Sequence, residues 1–237
     1  SWRSAGTDER MASMANRNWR CASRDDWDFH RIQVSHRIIF KLTAWLEKSN
    51  RLREEGIFRV CGSIKRIGLL VEQLEKEFSG GNREVELDSE EVHNVAGALK
   101  RILLQIEPPL IPLETLQQFQ DAQFGAHPAP APPIADRIRM FKRALEPMAG
   151  PRADLLRHMF LFMRRVASEA RHNRMDACNL ARVFAASLLR HPDDLRSALY
   201  LASGRLPGVA LTLLISDAIA PTTWDPATGA ALPPDRV

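Results

Sequence analysis

Residues 88–109 read DSEEVHNVAGALKRILLQIEPP. Asp88-Ser89-Glu90-Glu91 supplies an N-cap and an acidic first turn, both suited to the positive end of a helix. Val95, Leu99, Ile102, Leu103 and Ile106 then recur at three- and four-residue steps, which places them on one buried stripe. Glu107-Pro108-Pro109 stops the run, because a proline has no N–H to donate and its ring clashes with the preceding turn. This segment is a capped amphipathic helix, and its period sets the fold class.

The same period extends in both directions. From His36, Ile38, Ile39, Leu42, Trp45 and Leu46 form an apolar stripe; Ile64, Ile67, Leu70, Val71, Leu74 and Phe78 form another, stopped by Gly80-Gly81. Downstream, a short helix is expected from about Pro112 to Phe124, followed by a proline- and alanine-rich connector at 127–133. Longer helices follow at 134–148 and 152–172, the second carrying Leu155, Leu156, Met159, Phe160, Met163 and Val166. Asp176 caps a helix reaching Arg190, a loop with weak local helix fills 192–207, and a last helix covers 208–220. No alternating pattern of useful length marks a strand. The chain reads as all-α: a single domain of about eight to nine helices over residues 33–222. A polar, poorly ordered leader at 1–32, able to dock locally through a tryptophan, precedes it, and a mobile Pro-rich tail at 223–237 follows.

Composition narrows the function. With 237 residues, 45% hydrophobic and 26% charged, the chain suits one sizeable core. No run of about 18 apolar residues exists to span a membrane. Cys21, Cys61 and Cys178 are scattered, without CxxC spacing, and the seven histidines form no HExxH pattern, so neither disulfide framework nor metal site is expected. These cysteines suit a reducing, cytoplasmic setting. A net charge of +4 favours acidic partners or an anionic leaflet, but one tyrosine and no basic–aromatic run argue against nucleic acid. The sequence opens on Ser1, as a fragment of a longer chain would.

Arg59 stands alone among apolar neighbours in Glu54-Glu55-Gly56-Ile57-Phe58-Arg59-Val60-Cys61-Gly62-Ser63. Gly56 and Gly62 give backbone freedom to a short loop anchored by Ile57, Phe58 and Val60. Such a loop presents one guanidinium outward. Two roles fit it: an ordinary surface arginine on a packed turn, or an arginine that enters a partner's phosphate site.

On the helix from Asp88, Lys100 lies roughly 110–120° off the core stripe at about 100° per residue. His93, Gly97 and Leu104 share its face. A solvated lysine beside incidental apolar residues and a flat contact face both fit. Gly97 costs about 1 kcal/mol relative to alanine inside a helix unless it admits a close neighbour. On the helix from Asp176, Leu180, Phe184, Ser187 and Leu188 face the core, with Asn179 on the flank and Ala186 and Arg190 further along. Asn179 is placed to bond a partner's backbone or to cap the first turn.

Three segments, in order, resemble the RhoGAP domain, the module that activates GTP hydrolysis by Rho-family small GTPases. EEGIFRVCGS, DSEEVHNVAGALKRILLQIEPPLIP and HNRMDACNLARVFAASLL are similar to the family's EGIFRVSGS, DVHxVAxLLKxFLRELPEPL and NKMxxxNLAxVFGPxLL. The resemblance covers about residues 35–220. It implies an all-α domain with a shallow groove for the switch regions of a GTPase. It also implies that Arg59 is the catalytic arginine, with Gly56, Phe58 and Gly62 supporting its loop. Lys100 then lies near that arginine and the GTPase, and Asn179 contacts the partner and supports the loop. His93, Gly97, Leu104, Ala186 and Arg190 complete the expected GTPase-binding set.

Two departures stand out. The family usually carries a second arginine one turn after the lysine, where this chain has Leu104, and Arg101 points about 100° away from Lys100. The family's Gly-Pro is Ala185-Ala186 here. Both bear on affinity and partner choice and leave Arg59 intact. The resulting expectation is an activator of a Rho, Rac or Cdc42-like GTPase, with no substrate turnover of its own. No cofactor or metal is expected in this chain, because the partner binds GTP and Mg²⁺. A monomer is expected, with recruitment to membrane or cytoskeleton through other regions. The rival reading is a RhoGAP-like module that docks a GTPase or scaffold without stimulating hydrolysis.

Overall fold

The computed structural model describes residues 24–81, 83–107, 109–111, 115, 133–146 and 150–188. Among them are seven α-helices, one 3-10 turn and no strand. In chain order they are α1 (Arg24–Leu46), the turn Arg51–Arg53, α2 (Ile64–Phe78), α3 (Val92–Gln105), α4 (Ile134–Leu145), α5 (Gly150–Ser168), α6 (Ala170–Asn173) and α7 (Ala177–Leu188). The all-α reading stands. The expected helices at 112–124 and 208–220, the connector and the 192–207 loop lie wholly or mostly outside the described residues, as do Cys21, Arg190 and the tail.

The first helix begins at Arg24, so the end of the expected irregular leader is helical. Val34, Ile38, Ile39, Leu42, Trp45 and Leu46 bury its inner face. α3 is the central helix and packs against α1, α2 and α7. Its stripe is buried as the period requires, with Val95, Leu99 and Leu103 wholly inside the core and Ile102 and Ile106 nearly so. Each fully buried aliphatic side chain is worth roughly 1.5–3 kcal/mol, so this helix stabilises three interfaces at once. α5 closes the core from the other side against α1 and α7, through Leu155, Met159, Phe162, Met163 and Val166.

The ends of the helices depart from expectation. The N-cap of α3 is Glu91, which makes no side-chain cap hydrogen bond, and the acidic run lies ahead of the helix. Asp88 serves a tertiary contact instead, accepting from Trp45 Nε1 at 2.9 Å and from Arg51 at 3.2 Å. Arg51 also stacks its guanidinium 3.7 Å from the Trp45 ring centroid, fastening α1 to the segment that enters α3. Glu90, 9% exposed, pairs with Arg66 in the first turn of α2. Gly80, at φ +107°, ends α2, with Gly81 N–H donating to the Lys76 carbonyl. Asp176 caps α7 as expected, its Oδ1 accepting from Asn179 N at 2.8 Å. Ile64, counted in the α2 stripe, is 82% exposed because it sits at the first position of the helix, beyond the reach of the core.

Candidate functional site

Residues 54–63 form a tight turn on the core, not a hanging loop. The Gly56 carbonyl accepts from both Arg59 N–H and Val60 N–H at 2.8 Å, while Gly56 N–H donates to the Asn173 carbonyl at 2.8 Å. Gly56 sits at φ +71° and Phe58 at +68°. The left-handed region is free for glycine but costs a residue with a Cβ about 1–2 kcal/mol. Phe58 is held there by burial: it is 1% exposed, with its ring centroid 5.0 Å from that of Phe184 on α7 and 5.9 Å from that of Phe162 on α5. Packing of the Phe58 ring therefore offsets the strain in its own backbone, and the turn points Arg59 outward.

Arg59 is exposed, and among the described residues no ion pair or hydrogen bond holds its guanidinium. Ile57 and Phe58 anchor the loop as expected. Val60 does not: it is 46% exposed, because the turn that buries Phe58 rotates its neighbour outward. Gly62 serves by close approach and not by positive φ. A Cβ there would strike the first turn of α3 at His93 and Asn94.

Lys100 reaches across from α3 and donates from Nζ to the Phe58 carbonyl at 2.6 Å. Burial holds its pKa below the ordinary lysine value, and neighbouring Cys61 partly opposes that shift. His93, two turns earlier on the same face of α3, places Nε2 3.7 Å from Glu54 at the entrance of the loop. Gly97 does not open a flat outer surface. A Cβ at that position would run into Ile67 of α2, so the glycine admits a neighbour within the same chain. Leu104 is 43% exposed, one turn beyond Lys100. Arg101 lies against Gly68 of α2 and so does not stand in for a cation at 104.

The third motif meets the loop through α6. Asn173 is fully buried; its Nδ2 donates to the carbonyls of Leu52 and Val166 at 2.8 Å, and its own carbonyl takes the Gly56 N–H. Asn179 is half-buried and donates to the Arg174 carbonyl at 3.2 Å; its side chain bridges the α6–α7 corner, while the cap itself is Asp176. Ala186 is exposed and Ala185 is 3% exposed, so only the first of them faces outward. Arg190 lies outside the described residues. Asn94 and Asn173, which hold the two ends of the loop, were not singled out by sequence reading. Asn173 falls on the leading asparagine of the NKM pattern, a signal that could have found it, whereas Asn94 shows only a short polar side chain amid apolar periodicity, which also marks ordinary surface positions.

Residues 37–193 match the RhoGAP domain. The chain belongs to the RhoGAP family. It is 35% identical to human GEM-interacting protein over 68% of this chain and 17% of that protein. It is also 30% identical to Rho-GTPase-activating protein 5 of Schizosaccharomyces pombe, over 71% of this chain and 45% of the relative. The chain thus spans less than half the length of either relative. The crystal structure of human Rho GTPase activating protein 15 aligns with a TM-score of 0.63 at 22% identity, covering 77% of this chain and 82% of the other. The BH domain of Graf, the GTPase regulator associated with focal adhesion kinase, aligns at 0.64 and 20% identity, over 78% and 92%. These two establish likeness of fold. Among the described residues no helix is long and apolar enough to cross a membrane.

Proposed function

We propose that this RhoGAP domain stimulates GTP hydrolysis by a Rho-family small GTPase of the Rho, Rac or Cdc42-like type, and that Arg59 is the arginine it supplies in trans. One observation carries the reading: an exposed guanidinium, unpaired among the described residues, follows directly on a strained residue whose side chain, carbonyl and flanking amide are all held in place. Such a mount keeps the arginine oriented before the partner arrives. A cation entering a phosphate site in that state stabilises the charge that develops during phosphoryl transfer, without reorganisation at the moment of reaction. The partner supplies the nucleotide, Mg²⁺ and the group that orients water. This chain holds no cofactor and turns over no substrate of its own.

The GTPase-facing surface then comprises Arg59, Leu104 and Ala186, with His93 and Lys100 beside the loop and Asn179 at the α6–α7 corner; Arg190, outside the described residues, is assigned to the same set from sequence. Gly97 belongs to helix packing. Residues 33–222 form the functional unit, a monomer whose recruitment to membrane or cytoskeleton is left to other regions.

The test is single-turnover GTP hydrolysis by a panel of Rho-family GTPases with this domain added, alongside Arg59→Ala. Stimulation by the parent and its loss in the mutant are expected. Equal stimulation by both overturns the role of Arg59. Complex formation without stimulation by the parent makes the domain a docking module.

A further inference from the structure

Between Arg59 and α2 the chain passes through Val60, Cys61 and Gly62. Val60 N–H closes back on Gly56; beyond it, the next backbone N–H given a partner in the structure is that of Ser63, which donates to Asn94 Oδ1 at 2.8 Å. Asn94 sits in the first turns of α3 and is 5% exposed, so its oxygen is shielded from water. Gly62 lies flush against the same turn, with no space for a Cβ beside Asn94 Oδ1 and the Asn94 amide. Ser63 is in turn the N-cap of α2, its side chain accepting from Arg66 N–H. One amide oxygen therefore sets both where the Arg59 loop leaves the core and where α2 begins. Asparagine is a poor helix former, so its place inside α3 is offset by this long-range bond rather than by local preference. The RhoGAP pattern that the chain resembles leaves position 94 open.

We infer that Asn94 is a positioning residue for Arg59, clamping the exit of the loop as Lys100 clamps its middle and the Asn173 carbonyl its entrance. The inference rests on the role proposed for Arg59. With the exit unlatched, Arg59 samples orientations away from the partner's phosphates, and a displacement of this kind lowers rate more than affinity.

Asn94→Ala and Asn94→Ser remove the oxygen or draw it back by one bond, whereas Asn94→Asp keeps an acceptor in place at a helix N-terminus that tolerates negative charge. Each is measured alone and with Arg59→Ala, as single-turnover hydrolysis at saturating domain, with affinity for the GTPase and thermal unfolding recorded in parallel. Alanine and serine should lower the stimulated rate about tenfold, the scale set by an unpaired backbone donor, with affinity within about threefold. Aspartate should retain most of the rate. In the Arg59→Ala background, Asn94→Ala should cost no further rate, since it acts through an arginine already removed. A full rate in well-folded Asn94→Ala overturns the proposal, as does an equal loss with and without Arg59. Failure of both alanine and serine variants to fold assigns Asn94 to the scaffold and overturns it too. A result in which Arg59→Ala itself changes nothing strikes the activator reading instead, and is told apart by that single variant.

Discussion

The Lys100 ammonium donates to the carbonyl of Phe58, the residue immediately before Arg59, at 2.6 Å. Phe58 is also the non-glycine residue of the loop at positive φ. A charge-assisted bond thus falls on the peptide where backbone strain is stored, and it fixes the direction in which the next side chain leaves the core. Lys100 is here a support of the arginine loop from within. That role is compatible with contact to a partner but does not need it.

Lys100→Met keeps the apolar stem and removes the donor. We expect stimulated hydrolysis to fall by about 10- to 100-fold, with a loss of stability of about 1–2 kcal/mol from the stranded carbonyl. Single-turnover rates set beside equilibrium affinity check this. A purely affinity-based defect would place Lys100 at the interface only.

Arg59→Ala should remove most of the stimulation, on the scale of roughly 10³–10⁵ in rate that fingers of this type supply. Stability should change by no more than about 0.5 kcal/mol, as the side chain is exposed and no partner within the described residues holds it. Thermal unfolding of parent and mutant, run beside the kinetics, reads both quantities.

Gly97→Val should destabilise the fold by about 1–3 kcal/mol, because its branches meet Ile67 across the α2–α3 interface. Pairing it with Ile67→Ala should restore part of that loss, an interaction seen only between residues in contact. Urea unfolding of the two single variants and the double variant measures it. Strict additivity would mean that the helices separate rather than clash.

Leu104→Arg places a second cation one turn from Lys100 on an outward position that is 43% exposed. Affinity for at least one Rho-family GTPase should rise at low ionic strength, and the gain should fade with salt, while the maximal hydrolysis rate stays near parent. Weaker binding at both salt concentrations would show that the leucine packs against an apolar patch of its own partner.

A partly buried polar cluster gives a pH dependence. His158 on α5 places Nε2 2.8 Å from Thr43 Oγ1 and stacks on Phe40 at 3.8 Å between centroids, with His36 beside Phe40. Burial, with help from Arg165 and His36, pushes the His158 pKa down to about 4; burial also lowers that of His36, against the pull of Asp154. The unfolded chain therefore binds more protons than the folded one below about pH 6.5, so stability rises with pH across that window and is fully present above it. Unfolding free energy should fall by up to a few kcal/mol as pH drops from 7 towards 4. His158→Gln should flatten that slope in urea titrations at several pH values; an unchanged slope would assign it to other groups.

The helices and the buried stripes of α1, α3 and α7 follow from periodicity, because residues three and four apart share a face whatever else the chain does. Gly80 as a helix stop, Asp176 as a cap and the isolation of Arg59 were legible for the same reason: each depends on neighbours in sequence. Tertiary structure alone decided what surrounds them. Asp88 left its expected capping role for Trp45 and Arg51, Gly97 turned from a contact face to a seat for Ile67, and Val60 swung out of its expected anchoring role. The bonds that aim Arg59 come from Lys100, Asn94 and Asn173, each brought in from a distant part of the chain. Such pairings carry no period of their own; they exist only once the hydrophobic stripes have docked and placed a donor opposite an acceptor, partly shielded from water.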